Sequence, residues 1–178
     1  MNSQIKPKRL KPGARIGIVN PAYWLSSKQL SRAVSVFKAQ GFELVMGKST
    51  QYREYRFAGT PEQRADDIMA MFADESIDAI VCARGGYGGN RVLPLLDYDV
   101  IRANPKIFVG YSDITGFLCS MSQRSNLVTF HGPMLSTFGT KTIDYNLEAL
   151  VKMLSGEAQL KLYSPVECRA TILKAGTA

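Results

Sequence analysis

The sequence predicts an α/β fold in which an open, mostly parallel sheet carries helices on both faces. Apolar strand segments alternate with helical segments along the 178 residues, and this alternation is typical of parallel sheets. The predicted strands at 77–83 and 107–110 are apolar along most of their length, as expected for strands that are covered on both sides. A hydrophobic content of 46% and a charged content of 21% fit one globular domain with a sizeable core.

Each helix and strand is predicted from the residues typical of its ends and from the spacing of its apolar residues. Residues 1–14 are expected to be a loose leader that is rich in proline and positive charge. Ser26 with Gln29 makes a capping box that starts the first helix, and Thr60 followed by Pro61 starts the second. The predicted strands are 15–20, 42–46, 77–83, 107–110 and 127–130. The other predicted helices are 91–96, 113–123 and 143–154, and extended segments are expected at 159–163 and 168–173.

The connection between the second strand and the second helix, residues 47–59, is polar and long. A connection of this length is expected to be either a functional loop or a disordered one. The acidic residues around the end of the second helix, among them Asp67 and Asp74, are expected to face solvent.

The chain is basic, with a formal net charge of +7 from 22 Lys and Arg against 15 Asp and Glu. Part of this excess lies in the leader, where a solvated tail is the simplest interpretation. The sequence has no basic stripe interleaved with aromatic residues, so it does not indicate nucleic-acid binding. The positive balance instead suits a small anionic substrate.

The cysteines and the N-terminal segment bear on the compartment. Cys82, Cys119 and Cys168 lie far apart in the sequence, and the first two fall in apolar patterns that predict small buried side chains. This pattern favours a reducing compartment, and the sequence has neither a secretory h-region nor an apolar run long enough for a membrane span. We therefore expect a cytoplasmic protein. One histidine and no Cys pair disfavour a metal site, and no cofactor is expected.

Three unusual loops follow three successive predicted strands. The glycine-rich loop 84–89 follows the third strand, Ser112 follows the fourth, and His131 follows the fifth. Ligands of open parallel sheets bind at the carboxyl ends of the strands. The sequence therefore predicts one functional site that these loops share.

Ser112 lies where a buried strand turns into a helix, which is how several hydrolase folds present a nucleophile. A serine hydroxyl needs a base within hydrogen-bond reach before it can attack a carbonyl. The alternative is that Ser112 only caps the helix that follows. Position 114 is Ile where the G-x-S-x-G motif has Gly, so an ordinary α/β-hydrolase elbow is disfavoured.

The glycine-rich loop leaves backbone N–H groups open to a ligand, either an oxyanion or a phosphate. Its spacing matches neither the dinucleotide fingerprint nor the phosphate-binding P-loop, and a plain structural turn stays open as an alternative. Arg84 could bind a substrate carboxylate or pair with Asp113. His131 is interpreted as a supporting residue rather than as the general base.

Three motifs occur in order at residues 84–88, 110–115 and 131–134, with the sequences RGGYG, GYSDIT and HGPM. Together with the early segment 17–22, GIVNPA, they resemble the LD-carboxypeptidase family of serine peptidases. That family includes muramoyl-tetrapeptide carboxypeptidases and microcin C self-immunity peptidases. The resemblance runs from about residue 13 to the end of the sequence.

The resemblance implies a Rossmann-like N-terminal domain in which Ser112 is the nucleophile of a Ser-Glu-His triad. The backbone N–H groups of Gly86 and Asp113 would form the oxyanion hole. The reaction would release a C-terminal D-amino acid, typically D-alanine, from an L,D-configured bond of the muropeptide tetrapeptide. Family members use no metal, lie in the cytoplasm and are commonly homodimers.

Three side chains on the same edge are the candidate substrate-binding residues, namely Arg84, Tyr87 and His131. In the family, the triad Glu and His come from a C-terminal domain, and no residue of this sequence matches them. We therefore expect the nucleophile-bearing domain at 15–165 and the start of a linker to an absent C-terminal domain at 166–178. Such a fragment would be inactive or nearly so, and would expose an apolar patch or cover it with a neighbouring chain.

Two other functions stay open at this point. A microcin C-type immunity peptidase would use the same chemistry on a different substrate. A non-catalytic α/β module would instead bind a phosphate or sugar ligand on the glycine-rich loop, with Ser112 as a helix cap.

Overall fold

The computed structural model describes residues 4–140 and 144–157. Five parallel strands form one sheet within these residues: β1 Arg15–Val19, β2 Glu43–Met46, β3 Ala79–Cys82, β4 Ile107–Gly110 and β5 Phe130–His131. Their order across the sheet is β2-β1-β3-β4-β5, and every neighbouring pair is parallel. The predicted open parallel sheet is confirmed, and its three inner strands are more deeply buried than the two edge strands.

The helices of the described residues connect or follow these strands. The α-helices are α1 Ser27–Ala39, α2 Pro61–Ala73, α3 Tyr98–Ala103, α4 Thr115–Arg124, α5 Leu135–Thr140 and α6 Asp144–Leu154. Short 3₁₀ turns lie at Lys48–Thr50, Gly89–Arg91, Leu93–Leu95 and Ser112–Ile114. Of these helices, none combines the length and apolar character needed to span a lipid bilayer.

Helices cover both faces of the sheet. One face buries a cluster drawn from α2, α3, α4 and the strands, including Ile68, Phe72, Ile80, Ile101, Phe108 and Phe117. The opposite face buries a cluster drawn from α1, α5, α6 and the strands, including Ile18, Phe37, Val81, Val109, Phe138 and Leu150. Successive strand residues such as Ile80 and Val81 therefore enter different cores, which explains why β3 and β4 are apolar throughout.

Both predicted helix starts are present. The Ser26 hydroxyl accepts a hydrogen bond from the Gln29 N–H at the start of α1. Thr60 and Gln63 form a reciprocal capping box at the start of α2, where Pro61 is the first helical residue. Each cap satisfies backbone N–H groups that the first turn of a helix cannot pair by itself.

Several element bounds differ from the predictions. β5 is shorter and later than the predicted strand 127–130. The segment 91–96 forms 3₁₀ turns rather than a helix, because Pro94 lacks the N–H that a longer helix needs. Helices α3 and α5 were not predicted, although Asp97 caps α3 by accepting from the N–H groups of Asp99 and Val100. The predicted extended segments at 159–163 and 168–173 lie outside the described residues.

The first described residues, 4–14, pack on the domain, contrary to the expected loose leader. Ile5 forms a parallel bridge with Leu127, just before β5. Leu10 is buried, and its N–H donates to the Leu154 carbonyl of α6 at 2.8 Å. Apolar burial and backbone pairing thus hold a segment whose proline and charge content suggested a tail.

The connection 47–59 is ordered around a buried carboxylate. Asp67 is only 4% exposed, and it accepts hydrogen bonds from the N–H groups of Lys48 and Ser49 at 2.8 and 3.0 Å. The expectation that Asp67 faces solvent is therefore wrong, because its carboxylate satisfies the N–H groups of the Lys48–Thr50 turn. Asp74, the residue that follows α2, is exposed as predicted.

Of the two cysteine predictions that the described residues test, one is confirmed and one is wrong. Cys82 is fully buried at the end of β3, as predicted, and burial raises the pKa of its thiol well above the ordinary value. Cys119 of α4 is exposed, so its predicted burial is wrong. Phe117, Leu118 and Met121 carry the buried face of α4, and Cys119 lies outside it. Cys168 lies outside the described residues.

Candidate active site

The carboxyl edge of the sheet brings the three predicted loops together. Gly85, which follows β3, lies against Ser112, which follows β4: a Cβ added at Gly85 would be 3.5 Å from the Ser112 Oγ. His131 ends β5 and pairs in register with Gly110. The predicted grouping follows from parallel strands, which place their carboxyl ends side by side.

The backbone of Ser112 has an unusual conformation. Its φ is +62°, in the left-handed region that side chains other than glycine rarely adopt. This conformation costs an L-residue about 1–2 kcal/mol. Ser112 is also exposed, and it starts the 3₁₀ turn Ser112–Ile114 ahead of α4. A strained, exposed serine at a strand-to-helix turn is how nucleophile elbows present a hydroxyl.

Ser112 does not cap the helix that follows it. Neither the turn Ser112–Ile114 nor α4 receives a side-chain cap at its N-terminus. Within residues 4–140 and 144–157, the structure gives no hydrogen bond to the Ser112 hydroxyl or to the His131 imidazole. The described residues therefore give the hydroxyl no proton acceptor.

Gly110 and Asp113 shape this turn. A Cβ at Gly110 would lie 2.5 Å from Cγ2 of Ile114, so only glycine lets the chain turn so closely after β4. The Asp113 carboxylate reaches back to the glycine-rich loop and accepts the Gly89 N–H at 2.9 Å. The structure thus ties the serine turn to the glycine-rich loop through the Asp113–Gly89 hydrogen bond, rather than through the pair between Asp113 and Arg84 that the sequence left open.

Aromatic rings support the glycine-rich loop from the other side. Gly86 has φ +147°, and a Cβ there would lie 2.7 and 2.8 Å from two carbons of the Tyr23 ring. Gly88 has φ +84°, and a Cβ there would lie 2.8 Å from Cε1 of Phe57. The two rings contact each other edge to face, with centroids 5.6 Å apart. Glycine is required at both positions by backbone angle and by space.

The candidate substrate-binding side chains surround this loop. Tyr87 is 73% exposed, and its ring lies 6.1 Å from the Tyr23 ring. His131 is exposed, and its ring lies 6.2 Å from that of Tyr111, the residue before Ser112. These side chains form a partly aromatic rim that a ligand at Ser112 would meet.

Arg84 lies on the same rim. Its guanidinium is 5.7 Å from the centre of the Tyr23 ring, and it donates to the Trp24 carbonyl at 3.4 Å. Because Arg84 is exposed and bound only to a neutral carbonyl, its positive charge is available to a carboxylate or phosphate.

Sequence reasoning missed three residues that build the site, namely Tyr23, Phe57 and Arg64. Arg64 is only 2% exposed, and burial lowers the pKa of its guanidinium although Asp113 and Glu54 oppose this change. A signal was present in the sequence, since Arg64 precedes Ile68 by four residues and shares the apolar face of α2.

Two clefts flank β5, the strand at the edge of the sheet. One, of about 420 Å³, lies between β5 and α6 and is lined mainly by apolar residues, including Phe130, Leu150, Met153 and Leu154. The other, of about 380 Å³, lies towards α4 and includes Cys119 and His131. They place an accessible apolar surface beside the candidate site. In the described part of the chain, no group of three or more His, Cys, Asp or Glu side chains could hold a metal ion.

The fold and this serine–glycine arrangement define an N-terminal domain of a serine peptidase family. A model of the LD-carboxypeptidase N-terminal domain matches residues 16–132. The chain therefore belongs to the LD-carboxypeptidase family, whose members are serine carboxypeptidases, and the family resemblance is confirmed.

Individual relatives agree with this assignment. The chain is 40% identical over 132 residues to a probable murein peptide carboxypeptidase of Bacillus subtilis, covering 74% of this chain and 41% of the relative. It is 36% identical over 138 residues to the microcin C7 self-immunity protein MccF of Escherichia coli, covering 76% of this chain and 40% of the relative. A solved structure of MccF in complex with aspartyl sulfamoyl adenosine matches with a TM-score of 0.81 at 34% identity, covering 84% of this chain and 46% of that one. The chain thus spans less than half the length of these relatives.

Proposed function

We propose that this chain is the nucleophile-bearing part of a serine carboxypeptidase that removes the C-terminal D-alanine from the murein tetrapeptide. The observation that carries the proposal is the exposed Ser112, held in a left-handed conformation against Gly85. A structural serine gains nothing from this strain, whereas a nucleophile gains access to the substrate.

The proposed chemistry is acyl transfer through Ser112. Its Oγ attacks the carbonyl of the L,D-bond, and its proton passes to a base. The negative charge that develops on the carbonyl oxygen is received by the backbone N–H groups of Gly86 and Asp113. Collapse of the tetrahedral intermediate releases D-alanine and leaves an acyl-enzyme, which water then hydrolyses.

Substrate recognition is assigned to the rim of the site. The tetrapeptide ends in a carboxylate, and a guanidinium such as that of Arg84 binds a carboxylate through two parallel hydrogen bonds. Tyr87 and His131 offer flat faces for the peptide beside it. The murein peptide named for the Bacillus subtilis relative supports this substrate class.

The base is the part of the mechanism that the chain leaves open. The family resemblance implies a Glu and a His from a C-terminal domain, and the described residues place no acceptor at the Ser112 hydroxyl. We expect residues 1–178 alone to turn over tetrapeptide at least 10³-fold more slowly than a full-length relative, because only binding and the oxyanion hole remain.

The proposal is tested on the complete gene product by the substitution Ser112→Ala. We expect release of D-alanine from the murein tetrapeptide to fall by at least 10³-fold while the thermal midpoint stays unchanged. Ser120→Ala, on the next helix, is the matched control and should retain activity. Unchanged activity in the Ser112 variant would contradict the proposal.

A second candidate, a microcin C-type immunity peptidase, is favoured by the similarity to MccF and to its complex with aspartyl sulfamoyl adenosine. Comparison of kcat/KM for the murein tetrapeptide and for aspartyl sulfamoyl adenosine separates the two. A non-catalytic ligand-binding module predicts no turnover of either compound and no labelling of Ser112 by a fluorophosphonate.

Assembly and compartment are further parts of the proposal. We propose a homodimer, as the family resemblance implies, and the accessible apolar clefts beside β5 are compatible with burial against another surface. Sedimentation velocity measures this directly, and a monomer at micromolar concentration contradicts it. The cytoplasm is proposed from the cysteine pattern and from the same resemblance.

A further inference from the structure

Arg64 of α2 is a buried cation bound to uncharged groups. It is 2% exposed, although arginine is almost never buried without partners. Within the described residues, both ion pairs lie elsewhere. Arg64 Nη1 donates instead to the carbonyls of Pro21 and Gly88 at 2.7 and 3.2 Å, and Nε donates to the Thr60 carbonyl at 3.2 Å. One guanidinium therefore joins the segment after β1, the N-cap of α2 and the glycine-rich loop.

A first chain of contacts leads from Arg64 to the serine turn. Arg64 holds the Gly88 carbonyl, and the next residue, Gly89, donates its N–H to the Asp113 carboxylate at 2.9 Å. Asp113 is adjacent to Ser112 and carries one of the two proposed oxyanion donors. A shift of the Gly88 carbonyl would therefore move the hydrogen bond that orients this donor.

A second series of contacts leads from Arg64 to the other proposed oxyanion donor, the N–H group of Gly86. The guanidinium lies 5.4 Å from the centre of the Phe57 ring. Phe57 contacts Tyr23 edge to face, and the Tyr23 ring fills the space beside Gly86. Gly86 carries the second proposed donor, so both N–H groups are supported by contacts that meet at Arg64.

We propose that Arg64 is a positioning residue for the oxyanion hole, acting through Gly88 and through the Phe57 and Tyr23 rings on the N–H groups of Asp113 and Gly86. This inference rests on the function proposed above. The proposal also assigns a role in the site to the connection 47–59, because that connection supplies Phe57. Oxyanion donors must be fixed to within a fraction of an ångström to stabilise a transition state.

The test compares Arg64→Met with Arg53→Met in the complete gene product. Arg53 is the matched control because it also donates to backbone carbonyls, those of Thr50, Tyr52 and Leu25, and lies over an aromatic ring, that of Trp24. It contacts neither the glycine-rich loop nor the serine turn.

We expect Arg64→Met to lower kcat for the murein tetrapeptide by about 10–100-fold with KM within twofold of the original value. Affinity for a peptide phosphonate, whose tetrahedral phosphorus mimics the intermediate, should fall by the same factor as kcat/KM. Arg64→Lys should recover part of the loss, because an ammonium can still donate to one of the carbonyls. Arg53→Met should leave both quantities unchanged.

A folded Arg64→Met variant with kcat within twofold of the original overturns the inference. The inference is also overturned if the activity of Arg64→Met falls only in proportion to the amount of folded protein, while the phosphonate affinity of each folded molecule stays unchanged. If Arg64→Met does not fold, Phe57→Leu decides: a drop in kcat at constant KM supports the inference, and an unchanged kcat overturns it. Retained activity in Ser112→Ala overturns the proposed function itself, which separates the two failures.

Discussion

Two serines follow strands at the carboxyl edge of the sheet, and their surroundings are opposite. Ser49 follows β2, and Ser112 follows β4. Ser49 is fully buried, its hydroxyl donates to the Asp67 carboxylate, and it accepts the Asn20 N–H at 2.8 Å. Ser112 is exposed, adopts a φ of +62°, and has no hydrogen bond to its hydroxyl within the described residues.

A carboxylate beside a serine therefore does not by itself indicate a nucleophile. The Ser49–Asp67 pair is closed to solvent and satisfies backbone N–H groups, so its hydrogen bonds stabilise the fold. Ser112 has the features of the opposite kind: solvent access, backbone strain and neighbouring glycines. Strain and exposure at one residue are costs that stability alone does not explain.

After the loss expected for Ser112→Ala, the largest expected effect concerns the glycines near Ser112. Gly86→Ala places a methyl group against the Tyr23 ring at a positive φ, so it should displace a proposed oxyanion donor. We expect kcat to fall by about 100-fold or more. The matched control is Gly41→Ala, also at a positive φ of +82° but with no atom within 4 Å of the added group. Gly41→Ala should lower the stability of the protein without changing kcat. Equal kcat values for the two variants would show that the glycine-rich loop takes no part in the mechanism.

The next effect separates stability from activity at the other serine. Ser49→Ala removes a hydrogen bond to a buried carboxylate and leaves the Asn20 N–H without its acceptor, which should lower the free energy of unfolding by about 2–3 kcal/mol. Urea denaturation measures this loss. The folded variant should keep its kcat, and a variant of unchanged stability with reduced kcat would reverse the assignment of the two serines.

A smaller effect tests the strain at Ser112. Glycine tolerates a positive φ and alanine does not, so Ser112→Gly should be more stable than Ser112→Ala by about 1 kcal/mol. At Ser49, which lies in an ordinary 3₁₀ turn, the order should reverse. Thermal unfolding of the four variants gives both comparisons. If alanine is the more stable residue at 112, the left-handed conformation is not retained in solution.

The smallest effect concerns a serine–aspartate contact on the surface. The Ser76 hydroxyl and N–H donate to Asp74, and these hydrogen bonds lower the pKa of that carboxyl. A lowered pKa of an acid contributes stability above its unfolded value of about 4, and the contribution is lost as the pH falls through the folded pKa. Asp74→Asn should therefore flatten the acid side of the pH–stability curve slightly, and Ser76→Ala should cost less stability than Ser49→Ala. An equal cost would mean that burial does not distinguish the two contacts.

The sequence was sufficient to predict the sheet and to bring the residues of the candidate site to one edge. Continuous apolar strands, capping boxes and turn residues are local signals, and they correctly placed the glycine-rich loop, Ser112 and His131 on one edge. The supporting side chains are set by packing between distant segments, as when Phe57, Tyr23 and Gly86 meet. Arg64 and Asp67 are charged residues on a helix. Only the assembled fold shows that Arg64 donates to backbone carbonyls and that Asp67 accepts from backbone N–H groups.

The pairing of Ile5 with Leu127, and of Leu10 with Leu154, bears on how the domain is handled in the laboratory. The family match covers residues 16–132, and a fragment trimmed to those limits would lose both the strand partner of Leu127 and the whole of α6. It would also lose Phe138 and Leu150, which would expose residues of the same core such as Phe37 and Val109, and it would be prone to aggregation. Purification tags therefore belong ahead of residue 4 on a short spacer, and limited proteolysis should spare residues 4–14 despite the three lysines among them.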